Sequence, residues 1–370
     1  MKTQAAVLRD YGEDWQCVDL DLDDPREGEV MVRLTASGLC HSDEHVRLGD
    51  LPMEDLPVIG GHEGAGIVEK VGPNVRSVAE GDHVVLSFIP ACGRCPSCAS
   101  GHQNLCDEGA ELTVGLQKDG TARHHVGGED ARLMCLLGTF SPFTVTRESS
   151  VIKIDEDIPL DKAALVGCGV TTGWGTAVYG AGVQPGDTVV VLGVGGVGAN
   201  AVQGARMAGA ATIVAVDPAE FSREQAKHFG ATHTFADATE AAAALPDMTR
   251  GQLANSAIIT VGLATGELIG EALSLVGKRG TVALTSLANV ADDQATVPLF
   301  ELVAYQKRIV GCLFGNANPR YDIPRLLRLY QQGELMLDEL VTRTYPLELI
   351  NDGYEDMRQH RNVRGMLRFT

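Results

Sequence analysis

The sequence predicts an α/β protein in which a doubly wound parallel sheet is joined to a second, β-rich domain. Three observations predict it. The first half is rich in β-branched alternating runs, short apolar runs alternate with helix-like segments from about Gly169, and a glycine-rich turn sits between one such run and the helix after it.

With 370 residues the chain is too long for one typical domain and comfortable for two. Hydrophobic residues at 44% and charged residues at 21% give a globular composition, not a disordered one. The formal net charge of -19 argues against nucleic acid and anionic membrane as partners, because phosphate would be repelled. Solubility alone explains the acidity. Met1 to Asp10 shows no basic stretch followed by an apolar run, and no uninterrupted apolar run of about 18 residues occurs, so neither a targeting segment nor a membrane span is expected. The chain has nine cysteines, four of them crowded between Cys92 and Cys106. That crowding reads as metal ligation in a reducing compartment, by default the cytoplasm, and not as a disulfide framework.

In the first half, Glu29 to Leu34 alternates polar and apolar residues as a half-buried strand does, and Gly64 to Val71 and Asp82 to Phe88 are similar runs. Pro57, Gly60, Gly61, Gly72, Pro73 and Gly81 punctuate them. A mostly antiparallel β domain with long loops is expected. In the second half, Thr188 to Leu192 is a continuous β-branched run, as expected of a strand buried on both faces. A helix is expected from about Val197 to Ala208, a strand over Thr212 to Val216 and a helix over Ala219 to Phe229. Further strands are expected over Ala257 to Val261, Thr281 to Leu284 and Arg308 to Gly311, making a βαβ series. The alanine run 241–244 reads as helix. From about Cys312 a mixed pattern returns, with a helix near Ile323 to Gln331.

Gly193-Val-Gly195-Gly196-Val197-Gly198 follows a predicted strand and opens a predicted helix. The first glycine allows the tight turn, the second lets a pyrophosphate approach the backbone, and the third lets helix and strand pack closely. The free N–H groups of the helix start then face the phosphates. Asp217 ends the next strand, where its carboxylate can bind ribose hydroxyls and repel a 2′-phosphate, so NAD is expected over NADP.

Cys92-x2-Cys95-x2-Cys98-x7-Cys106 places four thiols in fifteen residues. Zinc accepts four thiolates tetrahedrally, and such a closed set leaves no position for chemistry, so a structural zinc is expected. A second set is dispersed: Cys40, His62 and Cys168 are the two thiolates and one imidazole that an open catalytic zinc needs. Spacing alone leaves this trio open. A single Cys is commonly a small buried apolar residue, and a lone His is commonly a hydrogen-bonded structural one.

At these residues the sequence resembles the zinc-containing alcohol dehydrogenases of the medium-chain superfamily. Gly-Leu-Cys40-His-Ser-Asp, Gly-Gly-His62-Glu63-Gly, the four-cysteine loop, Gly-Cys168-Gly-Val-Thr-Thr-Gly and Gly193-x-Gly-Gly-Val-Gly occur in the family's order across essentially the whole chain. The resemblance implies a GroES-like catalytic domain over 1–168, a Rossmann domain over 169–312, a return to the catalytic domain over 313–370, and an active site in the interdomain cleft. It implies two zinc ions per chain, NAD, and a small alcohol or aldehyde substrate. It also implies a homodimer or homotetramer. In the family the alcohol's proton leaves through a hydroxyl side chain, the nicotinamide ribose and a histidine, and Ser42 and His45 occupy the matching positions. Glu63 is then expected to reach the catalytic zinc transiently and assist ligand exchange. Asp43 is expected to accept the second ring N–H of His62. His41 and Arg364 fall where basic residues face the pyrophosphate. Thr172 is expected against the nicotinamide, and Phe88 in the alcohol pocket.

More narrowly the chain resembles the nicotinoprotein branch, assayed with N,N-dimethyl-4-nitrosoaniline as electron acceptor, in which NAD stays bound through turnover. The residues that carry this are Ser87-Phe-Ile-Pro-Ala-Cys92-Gly-Arg-Cys, Gly101-His-Gln-Asn-Leu-Cys106, Leu136-Leu-Gly-Thr-Phe140, Asp217-Pro-Ala-Glu-Phe221 and Gly315-Asn-Ala-Asn-Pro319. Three competing readings are an ordinary NAD-exchanging enzyme, a zinc-free reductase, which the complete ligand set opposes, and a non-enzymatic NAD-binding protein, which zinc content and ethanol-dependent dye reduction would distinguish. A thiol-adduct-dependent formaldehyde dehydrogenase of the same superfamily would need a basic pocket that the sequence does not place. The segment Asp107 to Leu133 is expected to shape the pocket or a subunit contact, with His124 and His125 in a surface loop.

Overall fold

Alternation along Glu29–Gly38 organises the first half of the structure, a computed structural model that describes residues 1–369. Val30, Val32 and Leu34 point into a core shared with Val68, Val84, Leu86 and Val151, while Met31 packs on the other face with Leu22 and Val145. The strand is therefore not half-buried as its alternation predicts: successive side chains still point to opposite faces, and both faces are covered. Gly64–Val71, Phe143–Arg147 and Arg364–Arg368 all pair with it antiparallel. A second sheet is built on Lys2–Leu8 and Gln16–Leu22. These elements belong to one compact unit, Met1–Cys168 together with the chain from Asn318 onward.

The other unit is Gly169–Ala317. Its six parallel strands lie in the order His233–Phe235, Thr212–Val216, Thr188–Leu192, Ala254–Ile259, Val276–Leu284, Arg308–Gly311. The order runs outward in both directions from Thr188–Leu192, so the sheet reverses its winding between that strand and Ala254–Ile259. Ligands bind beyond the carboxyl ends of the strands at such a point. The glycine turn leaves the sheet there and enters helix Gly196–Met207. The α/β class, with a β-rich first unit and a doubly wound parallel second unit, is as the sequence predicts.

The strand expected over Asp82 to Phe88 is confined to His83–Leu86, because Ser87 turns away and its Oγ donates to Ile89 O at 2.8 Å. The strand expected over Thr281 to Leu284 starts earlier, at Val276. His124 and His125 are not in a surface loop. They lie in strand His124–Val126, paired with Gln16–Leu22. His124 is fully buried, its Nε2 accepts from Val145 N–H at 3.3 Å, and burial drives its imidazole down to about 3. His125 faces outward between Asp23 and Asp130. Among the described residues no helix is long and apolar enough to cross a membrane.

Candidate active site

Strand Glu29–Gly38 runs into helix His41–Leu48 with Cys40 as the extended residue at the helix start. Asp43, in the first turn, is fully buried. Its Oδ2 accepts from the Cys40 N–H at 3.2 Å, and its Oδ1 accepts from the Gly61 N–H at 3.0 Å and faces His62 Nδ1 at 3.1 Å. One carboxylate therefore positions Cys40 and His62 from two separate segments. An N–H at His62 Nδ1 leaves Nε2 as the lone-pair atom. That Nε2 is buried and has no hydrogen-bond partner, a costly condition unless a ligand satisfies it.

The missing partner is indicated by the neighbours. Single donor atoms of Cys40, His62, Glu63 and Cys168 all lie within 4.8 Å of one another, and all four residues are buried. Cys168 reaches this place from the end of the turn Ala164–Gly167. The hydrogen bond from Cys168 holds the Cys40 thiol well below its ordinary range, and the same bond, with burial, pushes Cys168 well above. Burial opposes charge on His62, but the Asp43 carboxylate and Cys40 outweigh it and hold the imidazole well above its ordinary range. Two thiols and an imidazole thus share protons in a dry pocket. A borderline-soft divalent cation displaces such protons and satisfies Nε2, so the donor set fits zinc.

Glu63 is paired to Arg364 Nη2, which also donates to Leu39 O at 3.0 Å. Burial nevertheless holds the Glu63 carboxyl above its ordinary range. Arg364, for which the resemblance implies a pyrophosphate contact, is placed by the structure against Glu63 and is 4% exposed. Phe88 packs edge-on against His62, with ring centroids 5.8 Å apart. Ser42 is half-buried, with its Oγ 3.8 Å from Cys40 Sγ. His41 is exposed on the first helical turn, and His45 is buried with its Nδ1 3.1 Å from Asp50 Oδ2. Sequence reasoning did not single out Asp50. Its only signal is a carboxylate one residue past the glycine that ends the histidine's helix.

Cys92, Cys95, Cys98 and Cys106 gather their sulfurs within 4.8 Å. Backbone N–H groups point at them: Cys95 to Cys92 Sγ, and Cys98 and Asp107 to Cys95 Sγ, all at 3.4 Å. The N–H groups of Asp107 and Cys98 hold Cys95 down to about 7, whereas burial pushes Cys106 up to about 12. Four sulfurs this close become thiolates together only around a cation.

In the other unit, the glycine turn shows the space its motif requires. A Cβ on Gly198 would come within 2.0 Å of Gly193 O, whereas one on Gly195 would meet nothing within 4 Å, leaving room for a ligand. Gly196 and Val197 open the helix. Asp217 is buried and braces the turn: Val194 N–H donates to its Oδ2 and Ala219 N–H to its Oδ1, each at 2.9 Å. Thr260 Oγ1 donates to Gly193 O at 2.5 Å, and Arg223 Nη1 donates to Asp217 O at 2.7 Å. Neither Thr260 nor Arg223 stands out in the sequence. Thr172 lies in helix Gly169–Gly175, its hydroxyl buried and without a hydrogen-bond partner.

Residues 26–156 match the family model described as alcohol dehydrogenase GroES-like domain, and residues 196–332 match that of the zinc-binding dehydrogenases. The chain is 53% identical over 369 residues to an NDMA-dependent alcohol dehydrogenase of Amycolatopsis methanolica, covering 99% of each. It is 52% identical over 367 residues to a putative alcohol dehydrogenase D of Mycobacterium tuberculosis, covering 99% of this chain and 100% of that one. The crystal structure of benzyl alcohol dehydrogenase from Acinetobacter calcoaceticus superposes with a TM-score of 0.93 at 31% identity, with both chains fully covered.

Proposed function

Since the chain belongs to the zinc-containing medium-chain alcohol dehydrogenases and is closely related to their nicotinoprotein branch, we propose that it oxidises a primary alcohol while keeping NAD in place through turnover. Its broader activity is that of a zinc-dependent, NAD-linked oxidoreductase acting on an alcohol/aldehyde pair. The observation that carries the zinc chemistry is the buried pocket of Cys40, Cys168 and His62, with its unpartnered imidazole nitrogen, and the relation to the NDMA-dependent enzyme supports the retained NAD.

Cys40, Cys168 and His62 Nε2 would hold the catalytic zinc, with Glu63 near enough to take part. The four-cysteine set would hold the structural zinc. Gly193, Gly195, Gly196, Val197, Gly198 and Asp217 would hold NAD. When bound, these groups supply Lewis acidity at the alcohol oxygen and an acceptor for the hydride. The chain's own residues do the rest. Asp43 fixes the tautomer and direction of His62. Phe88 lines the alcohol side of His62 with an apolar edge. Ser42 takes the alcohol's proton, and His45 is its acceptor further out. Arg364 is the counter-charge to Glu63, so the carboxylate is held without being consumed as a permanent ligand. His41 would help hold the pyrophosphate of bound NAD, and Thr172 its nicotinamide.

The test is made on gel-filtered protein. Retention through purification requires a dissociation constant in roughly the nanomolar range, about -12 kcal/mol. Heat or acid release is expected to yield about one nucleotide per chain, and mass analysis to identify it as NAD and not NADP, as the Asp217 carboxylate demands. The same protein is expected to oxidise a primary alcohol with a nitroso dye and no added NAD. Protein that carries no nucleotide and turns over only when NAD is supplied would be an ordinary NAD-exchanging enzyme.

The chain is further proposed to work as a homo-oligomer. In the second unit, Leu299, Phe300 and Val303 expose 72%, 79% and 78% of their surface, and the neighbouring Arg308–Gly311 is the unpaired edge of the parallel sheet. Apolar side chains this exposed beside a free strand edge are a liability in a monomer. Sedimentation is expected to show an oligomer for the wild type and a shift towards monomer for Phe300→Glu. A wild-type monomer would remove the proposal.

A further inference from the structure

Helix His41–Leu48 ends at Gly49, whose φ of 83° is the left-handed conformation that terminates a helix. The chain reverses there, and the Leu51 N–H donates to His45 O at 3.2 Å. That reversal carries Asp50 back over the helix it has just left. Its Oδ2 lies 3.1 Å from Nδ1 of His45, five residues earlier. The His45 side chain is 8% exposed and the Asp50 side chain 24%. The histidine is buried, and the carboxylate that faces it is partly open to water.

We propose that Asp50 is a positioning residue for alcohol oxidation: it accepts the Nδ1–H of His45 and so presents Nε2 of that imidazole to the departing proton. The inference rests on the reading of His45 as the proton's acceptor. The physical argument is one of tautomers. A neutral imidazole carries one N–H and one lone pair, and the hydrogen bond made by one nitrogen decides which is which. Without an acceptor at Nδ1 the ring divides between tautomers, and the fraction carrying its proton on Nε2 cannot receive another there. With Asp50 in place, a proton arriving at Nε2 makes an imidazolium whose charge faces a carboxylate. One N–H proton then passes to water, and the ring returns to neutral. Each transfer exchanges one bond for another: the donor's O–H for Nε2–H, then one ring N–H for an O–H of water, with no change of oxidation state.

The experiment uses the full-length protein with its metal and cofactor content measured for every variant. Alcohol-driven formation of reduced cofactor is followed in single turnover, and the tautomer of His45 is read from ring nitrogen shifts in 15N-histidine protein, assigned with His45→Gln. Asp50→Ala is expected to slow reduction by about 10–100-fold, the usual scale for a residue acting through another. The alcohol KM should be little changed, and His45 should move from the Nδ1–H tautomer towards a mixture. Asp50→Asn keeps the packing of the turn and is expected to slow reduction as well, and Asp50→Glu is expected to restore much of the rate. Two residues acting as one unit are non-additive, so His45→Gln/Asp50→Ala should be no slower than His45→Gln alone. A slow His45→Gln combined with a wild-type rate and tautomer in Asp50→Ala and Asp50→Asn would overturn the proposal and leave the relay standing. Additive losses in the double variant would also overturn it. A wild-type rate in His45→Gln would instead refute the reading of His45 itself.

Discussion

Cys168→Ser is expected to lower turnover by more than about a thousandfold while leaving a folded protein. Lewis-acid stabilisation supplies several kcal/mol at the reacting oxygen, and each 1.36 kcal/mol is a factor of ten in rate. The substituted position is one of two thiolates in a four-atom pocket, and a serine hydroxyl is a harder and far weaker zinc ligand. Folding should survive. Cys168 ends a turn whose neighbours Ala163 to Val166 are fully buried apolar residues, so its segment stays anchored without a metal. Metal analysis is expected to fall from two zinc ions per chain to one, with circular dichroism unchanged. Full activity in Cys168→Ser, or in wild-type protein that carries no zinc, would show that the pocket of Cys40, His62 and Cys168 is not where the chemistry takes place.

Cys95→Ser is expected to act in the opposite way, on stability first. Cys95 Sγ accepts two backbone N–H groups and is one of four sulfurs that close the loop. That loop has little core of its own: Gly93, Arg94 and the chain from Ala99 to Gln103 are exposed or half-buried. A closed metal site therefore supplies much of what holds it, and metal binding there is folding free energy. A loss of several kcal/mol lowers the onset of thermal unfolding by roughly 10 °C. Zinc is again expected to fall to one per chain, but freshly prepared protein at low temperature should keep much of its activity. An unchanged melting profile with two zinc ions retained would show that the four thiols do not act as one closed site.

The contrast between these two cysteines was legible in the sequence because local spacing encodes it. Four cysteines within fifteen residues can meet whatever the rest of the chain does. The same holds for the glycine turn, where a strand, a turn of four glycines and a helix are consecutive, and for Thr188–Leu192, Thr212–Val216, Gly64–Val71 and Arg308–Gly311, whose local pattern matches their ends. The dispersed pocket was different. Cys40 and Cys168 are far apart in the chain, and their spacing permitted a buried apolar reading as readily as a metal. Family resemblance, not residue pattern, joined them before the structure did.

Other features had no sequence signal because they depend on where distant segments come to rest. The His124-His125 pair lies in a strand and not in the expected loop, since a short strand pairing with Gln16–Leu22 cannot be seen from three residues of its own. Arg364 meets Glu63 across a separation of 301 residues, and Thr260 reaches Gly193 across 67. What the sequence by itself determined was the fold class, the four-cysteine set and the cofactor turn, because hydrophobic period, cysteine spacing and glycine sterics act within a few residues of one another. What only the tertiary structure decided was the polar scaffolding: Asp43 between Cys40 and His62, Arg364 on Glu63, Asp50 on His45. A carboxylate's partner is chosen by burial and by the donors that folding brings to it, and neither exists until the chain has packed.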